Sequence, residues 1–398
     1  MAARACPAAP APRRSSASCS SSGPPSTAPA ARSSDDAAAS VIPMPISDAF
    51  AERIIRWQRS HGRHALPWQN TRDPYRIWLS EIMLQQTQVA TVIPYYERFL
   101  ARYPDVASLA AAPDADVMAL WAGLGYYTRA RNLHRCAREI VAQWEGRFPP
   151  DAERIATLPG IGRSTAAAVA AFAYGERAAI LDGNVRRVFA RHFGMAGDPA
   201  SAKVQAGMWE RADAELPAPG PAQADDMRAY TQGLMDLGAT LCTRGVPDCA
   251  RCPVRETCVA LREARQHELP TPRKRKAVPE RSAHLLWVEH RGRTLFERRP
   301  PSGIWGGLLS LPEFEGEDAA AACRRLGVEP GQIDRLDPFV HTFTHFRLTA
   351  TPWRVAAAGI ALREADRHEW LEPERLADGG LPAPIKKLLC DRRQGGLF

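Results

Sequence analysis

Four cysteines, Cys242, Cys249, Cys252 and Cys258, fall within seventeen residues in the spacing C-x6-C-x2-C-x5-C. Thiolates this close must converge on a common partner, because three short loops leave little room for two unstrained disulfides. The other five, Cys6, Cys19, Cys136, Cys323 and Cys390, are scattered, which argues against a secreted disulfide framework. A structural zinc site usually shows two Cys-x2–4-Cys hairpins, and here there is one. Four cysteines also hold a four-iron cluster. The spacing points to metal, with iron–sulfur favoured over zinc.

Two carboxylates stand in contrasting settings. In DPYRIWLSEIMLQQTQVATV, helical spacing surrounds Glu81 with Ile77, Trp78, Leu84 and Gln85. A carboxyl so placed loses hydration, its pKa rises, and it can keep a proton near neutrality. A solvated position on the helix edge fits the same spacing. Asp182 lies in the polar turn LDGNVRR beside Gly183, with Arg186, Arg187 and Arg191 beyond. That placement suits a stabilised charge, and equally a plain helix N-cap.

Three further segments suit a nucleic-acid partner. LPGIGRSTAAAVAAFAYG carries Gly160 and Gly162 just before a helix starting near Ser164. Free N–H groups at the positive end of that helix suit a phosphate, although a tight turn alone reads the same way. Gln85, Gln86 and Gln88 are amides amid apolar residues, either a polar seam or hydrogen-bonding groups for base-pair edges. WAGLGYYTRARNL joins two glycines, two tyrosines and two arginines, which suits base stacking with phosphate contact, or tyrosine packing in a core.

These groups need elements to position them. Ser47 and Asp48 can cap a helix with apolar Phe50, Ile54, Ile55 and Trp57. Helical patterns follow over 74–91, 94–102, 114–121, 129–144, 164–174 and 225–241. Beta-branched alternation is nearly absent through residue 266, so this block is expected to be all-α. Beyond Arg281, HLLWVEH and TLFERR read as two strands around the Arg291–Arg293 turn, and LTATPWRVAA as another. That marks a separate α+β domain at 282–393. Between them, 267–281 form a Pro-bounded basic linker.

Residues 1–46, rich in Ala, Ser and Pro, cannot bury enough apolar surface to order themselves. They lack the apolar core of a secretory signal. Their Arg/Ser-rich, acid-poor composition resembles an organelle transit segment, and Met44 is an alternative start. No run of eighteen apolar residues exists, so a membrane span is not expected. The net charge of +8 favours an acidic partner. Five basic against two acidic residues give the linker a large share of it, while 282–398 are neutral. Arg273, Lys274, Arg275 and Lys276 concentrate that charge in one short run, which suits an acidic partner.

Five motifs in order, WLSEIMLQQTQVATVIPYYERF, GLGYYTRARNL, LPGIGRSTAAA, ILDGNV and the cysteine cluster, resemble the adenine DNA glycosylase (MutY) family of the helix–hairpin–helix superfamily. The resemblance covers residues 47–398. It implies an all-α helix–hairpin–helix glycosylase domain over 47–266 with an iron–sulfur loop at 242–258, followed by a Nudix-like α+β domain. It implies excision of adenine mispaired with 8-oxoguanine or guanine in duplex DNA, by a monomeric cytoplasmic enzyme holding a 4Fe-4S cluster.

By that resemblance Glu81 is the general acid for adenine N7, and Asp182, supported by Asn184, stabilises the oxocarbenium-like sugar. Tyr126 and Gln86 match groups inserted into the base stack. Arg63, Trp68 and Gln232 match the adenine pocket. Gly160, Gly162, Ser164, Arg129, Arg186 and Arg244 fall where the family meets DNA. Ser164 occupies the place of the lysine that endonuclease III-like enzymes use for strand cleavage, which implies a monofunctional glycosylase. In the C-terminal domain, Gly307 and Glu313 begin a Nudix motif, but AAACRRLG lacks the acidic metal-binding helix, implying a binding module only. HTFTHFRL matches the 8-oxoguanine-reading loop through Phe343, Thr344 and His345, with Thr344 replacing the usual serine. The tail Gln394–Phe398, QGGLF, resembles a peptide that docks on the sliding clamp.

Overall fold

The computed structural model describes residues 49–272, 277–300, 303–343, 345–361, 367–372, 375 and 380–394. The N-terminal extension, the basic run 273–276, Thr344 and the last four residues lie outside the described residues.

From Phe50 to Arg262 the described chain is helical: α1 (Phe50–His61), α2 (Pro74–Leu84), α3 (Val89–Arg102), α4 (Val106–Ala110), α5 (Asp114–Trp121), α6 (Thr128–Trp144), α7 (Ala152–Ile155), α8 (Arg163–Tyr174), α9 (Gly183–His192), α10 (Ala202–Ala214), α11 (Gln223–Asp236) and α12 (Val259–Arg262). Short 3-10 turns at Cys249–Arg251 and Arg255–Thr257 carry the cysteine loop. Strands begin at β1 (Glu280–His290), followed by β2 (Arg293–Arg298), β3 (Leu309–Ser310) and β4 (Glu313–Phe314). Helix α13 (Ala319–Arg325) precedes β5 (Val328–Arg335), β6 (Phe339–Thr342), β7 (Arg347–Ile360), β8 (His368–Leu371) and α14 (Ala383–Gln394).

Alanine spacing explains how the helices meet. Ala166 to Ala171 of α8 are buried along with Val169, and these short side chains let α2 and α11 pack closely on it. Trp78 and Trp121 are fully enclosed in the same core. Each such burial contributes roughly 1.5–3 kcal/mol or more relative to exposure.

Helix α2 ends earlier than its periodicity predicts. The pattern continues to Thr91, yet the helix stops at Leu84 and restarts at Val89. The reason is long-range. The Arg129 guanidinium donates to the carbonyl oxygens of Ile82 and Met83, both at 2.8 Å, taking acceptors that a continuing helix would use itself. Gln86 then turns with φ 59°.

The sheet runs β3-β2-β1-β7-β5, with β4, β6 and β8 pairing onto β1, β7 and β2. β1 and β7 are parallel from Glu280↔Arg347 to Glu289↔Ala356. One sheet face, through Leu286, Val288, Leu295 and Val355, packs with Ala319, Ala322 and Cys323 of α13. The other face, through Trp287, Phe296 and Leu309, belongs to a core continuous with Trp78, Met118 and Leu133 of the helical part. A second helical core surrounds α9 and α11 and takes in the side of Cys242 and Cys252.

Candidate active site

Glu81 sits on the last full turn of α2 and lines a cavity of about 300 Å³ with Arg63, Trp68 and Gln232. It is half-buried. Burial, and secondarily the Asp182 charge, pushes its carboxyl up to about 8, so it carries a proton at neutral pH. The three pocket residues expected from sequence thus meet the expected acid in one place.

Asp182 is the N-cap of α9. Its Oδ1 accepts from the backbone N–H groups of Asn184 at 2.9 Å and Val185 at 2.8 Å. The plain capping role is therefore real, and the carboxylate also lies near enough for its charge to raise the Glu81 pKa. Burial raises the Asp182 pKa above its ordinary value, opposed by the two backbone donors and by Arg187 and Arg186. These four partners favour the charged form, so the proton of the pair belongs to Glu81.

Asn184 is held in turn, its Oδ1 accepting from Arg187 Nη2 at 2.8 Å. Arg187, only 5% exposed, also donates to the carbonyls of Gly238 at 2.6 Å and Cys242 at 2.7 Å. Arg191 reaches Thr243 O at 2.7 Å and Cys242 Sγ at 3.4 Å. One helix therefore joins the Asp182 turn to the cysteine loop. Ser164 ties in the hairpin: its Oγ accepts from Leu181 N at 2.9 Å.

A residue that sequence reasoning missed organises the cavity. Asp236 at the end of α11 has no exposed surface. Its carboxylate accepts from Arg63 N at 2.8 Å, Arg63 Nε at 2.7 Å and Gln232 Nε2 at 2.8 Å. The Gln232–Asp236 spacing of four residues was the available signal.

Gln86 and Tyr126 line a neighbouring depression of about 200 Å³ together with Gly160 and Asn132. Both take left-handed backbone, φ 59° and 49°, and Tyr126 is 40% exposed. Gly160 has φ 78°, and a Cβ there would lie 2.6 Å from Asn132 Cβ, so this approach of hairpin to α6 requires glycine. Gly162 caps α8 with open space around it. Arg186 is half-buried, its Nε on Leu181 O at 3.1 Å, and Arg244 is exposed.

Arg129 is corrected. Expected to contact phosphate, it is 9% exposed and turned inward. Besides Ile82 and Met83, it donates to Thr87 Oγ1 at 3.0 Å and to Leu124 and Gly125 carbonyls at 3.3 Å. Those partners flank Gln86 on one side and Tyr126 on the other. Arg129 fixes the two turns and has no guanidinium edge to offer DNA.

The four cysteines are free thiols, all half-buried. Cys242, Cys249 and Cys258 lie close enough that their charges add to the burial that pushes Cys252 up to about 12. Among the described residues, no three or more His, Cys, Asp or Glu side chains are grouped to hold a metal ion. A polynuclear cluster interposes its own inorganic atoms and needs its sulfurs wider apart than a single ion does. Four free thiols near enough for the charges of three to act on Cys252, with an Arg191 donor on one sulfur, fit that donor set.

In the sheet domain, Phe343 stacks on Phe346 at 4.5 Å, and its N–H bonds Phe346 O at 2.9 Å. His345 is exposed beside them. Among the described residues no helix is long and apolar enough to cross a membrane.

Residues 79–213 match the family model for HhH-GPD superfamily base excision DNA repair proteins, and 283–390 match the NUDIX domain. Adenine DNA glycosylase of Buchnera aphidicola subsp. Acyrthosiphon pisum is 32% identical over 343 residues, 85% of this chain and 96% of that protein. The Homo sapiens adenine DNA glycosylase is 32% identical over 406 residues, 85% of this chain and 73% of that protein. A solved thermostable thymine-DNA glycosylase is 30% identical over 54% of this chain and 95% of its own, with a TM-score of 0.48. The chain belongs to the adenine DNA glycosylase family, enzymes that hydrolyse N-glycosyl bonds.

Proposed function

We propose that this enzyme excises adenine mispaired with 8-oxoguanine or guanine in duplex DNA, leaving the strand uncut. The observation that carries this reading is Glu81, its carboxyl raised by burial and by the nearby Asp182 charge, lining one cavity with Arg63, Trp68 and Gln232. Adenine turned out of the helix enters that cavity at a cost of a few kcal/mol in lost stacking and pairing. Gln86 and Tyr126, projecting from strained turns, fill the gap it leaves. Glu81 protonates the base at N7, and the bond to the sugar breaks as electrons flow into the ring. Asp182 stabilises the oxocarbenium-like sugar until water adds at C1′ and gives up a proton, leaving an abasic site, and Asn184 holds the Asp182 turn. The division of roles parallels a retaining glycosidase.

Strand cleavage needs an amine nucleophile. The hairpin helix offers Ser164, whose hydroxyl accepts from Leu181 N. Gly160, Gly162, Arg186 and Arg244, with the linker run 273–276, meet phosphates in this reading. Cys242, Cys249, Cys252 and Cys258 hold a 4Fe-4S cluster whose role is structural.

The domain from 282 to 393 serves as a lesion reader. Helix α13 reads AAAACRR, and Glu313 is ion-paired to Arg299 at 2.7 Å, so the carboxylates a Nudix hydrolase uses for Mg²⁺ are missing or occupied. Phe343, Thr344 and His345 contact 8-oxoguanine in this reading. The enzyme acts as a monomer, in the cytoplasm with the nucleoid, and its tail Gln394–Phe398 docks on the sliding clamp. The test is a duplex with one adenine opposite 8-oxoguanine, incubated with enzyme and treated with or without alkali. Cleavage confined to the alkali arm supports the reading; equal cleavage without alkali contradicts the assignment of Ser164.

A further inference from the structure

The Tyr126 turn and the strands read as lesion-reading belong to different domains, yet a short chain of fixed contacts joins them. Tyr126 lies two residues before α6, and Arg131 lies one turn into it. Arg131 Nη2 donates to Thr128 Oγ1 at 2.9 Å, which lays the side chain along its own helix. Its Nη1 donates to Gly306 O at 2.8 Å, across the domain boundary. A charged donor on a half-buried carbonyl is a strong and directional contact.

The receiving turn is rigid for local reasons. Trp305, with φ 53°, and Gly307, with φ 82°, both occupy left-handed backbone on either side of Gly306. A Cβ on Gly307 would come 3.3 Å from Met118 Cε of α5 and 3.8 Å from Arg131 Nη1, so the turn seats closely on the helical domain. Leu308 N closes it onto Trp305 O at 3.0 Å. The buried Trp305 ring then meets His341 at 6.1 Å and Phe343 at 6.0 Å, and Phe343 stacks on Phe346. From the Tyr126 turn to Phe346, each step is a helix, a hydrogen bond or a ring contact.

We propose that Arg131 is a positioning residue for lesion discrimination: through Gly306 and Trp305 it sets His341, Phe343 and Phe346 relative to the Tyr126 turn. The inference rests on the reading of 282–393 as the 8-oxoguanine reader. It touches neither the adenine cavity nor the Glu81–Asp182 pair. Loss of Arg131 therefore affects the choice of opposite base and spares adenine chemistry, since a small misplacement of a positioning group is enough to change selectivity strongly.

The test compares single-turnover adenine release from duplexes with A:8-oxoguanine and A:guanine, using full-length wild type, Arg131→Ala, Arg131→Lys and Gly307→Ala. For Arg131→Ala the A:guanine rate stays within about twofold, while the preference for 8-oxoguanine falls roughly tenfold. Arg131→Lys, which keeps one charged donor, recovers part of it. Gly307→Ala, which disturbs the seam from the other side, lowers the same ratio. Hydrogen exchange at 303–309 and 339–346 rises in both Arg131→Ala and Gly307→Ala. An unchanged ratio, or equal loss on both duplexes, overturns the positioning role. A wild type without any 8-oxoguanine preference overturns the underlying reading as well, whereas a preference that survives Arg131→Ala overturns only the role of Arg131.

Discussion

Nη1 of Arg129 meets the carbonyl oxygen of Ile82 at 2.8 Å across 47 residues of sequence. That contact ends α2 one turn beyond Glu81 and frees the chain to present Gln86. Arg129→Met keeps the volume and strands the carbonyls of Ile82 and Met83 without a donor. We expect it to cost about 2–4 kcal/mol of stability, since each buried unsatisfied group costs about 1–3 kcal/mol. Adenine release should slow at least about tenfold, because both strained turns lose their tie. Thermal unfolding and single-turnover rates check this; a variant as stable as wild type contradicts the buried role.

Asp236 holds Arg63 and Gln232 by three hydrogen bonds. Asp236→Asn keeps the shape and removes the charge that Arg63 faces. Charge-assisted bonds contribute about 1.5–3 kcal/mol, so kcat/KM should fall roughly 10- to 100-fold. Duplex binding measured without turnover should change little.

The pH dependence follows from the two carboxyls. Glu81 must be protonated to act, so release should fall as pH rises through about 8. Asp182 must be charged, and its raised pKa puts the acidic limb above the ordinary aspartate range. Stability carries the same signature. The folded chain holds the Glu81 proton to about 8, while an ordinary glutamate releases it near 4.5, so this group's contribution is full below 4.5 and lost as pH rises through 8. Glu81→Gln lacks that loss. Its melting temperature should exceed wild type by a margin that widens from pH 5 to 8 and then levels off.

The cysteine loop makes a compositional prediction. Protein purified without oxygen should contain iron and acid-labile sulfide at roughly four of each per chain. Cys252→Ala should lose both and unfold at lower temperature, because Cys242 and Cys252 pack against the core around α9. Zinc at one per chain would contradict the cluster.

How much was legible in the sequence depended on the range of the forces involved. Glu81 was readable because its desolvating neighbours lie within one helical turn. Asp182 was readable because a cap is a local device. Arg129 was misread, since an arginine beside tyrosines at a glycine turn has the composition of a phosphate contact, and two of its partners lie 46 and 47 residues away. The break after Leu84 was hidden for the same reason. Asp236 took its meaning from Arg63, 173 residues distant. Strands β3 and β4, of two residues each, are too short to carry alternation.

The most direct measurement of the central claim is single-turnover adenine release from an A:8-oxoguanine duplex by wild type, Glu81→Gln and Asp182→Asn, each followed by alkali. Wild type should release adenine and yield strand breaks only after alkali. Both variants should bind the duplex, and each should slow release by at least about 10²-fold, the scale of a positioned acid or charge in the transition state. Release at the wild-type rate by either variant would contradict the assignment of that carboxyl.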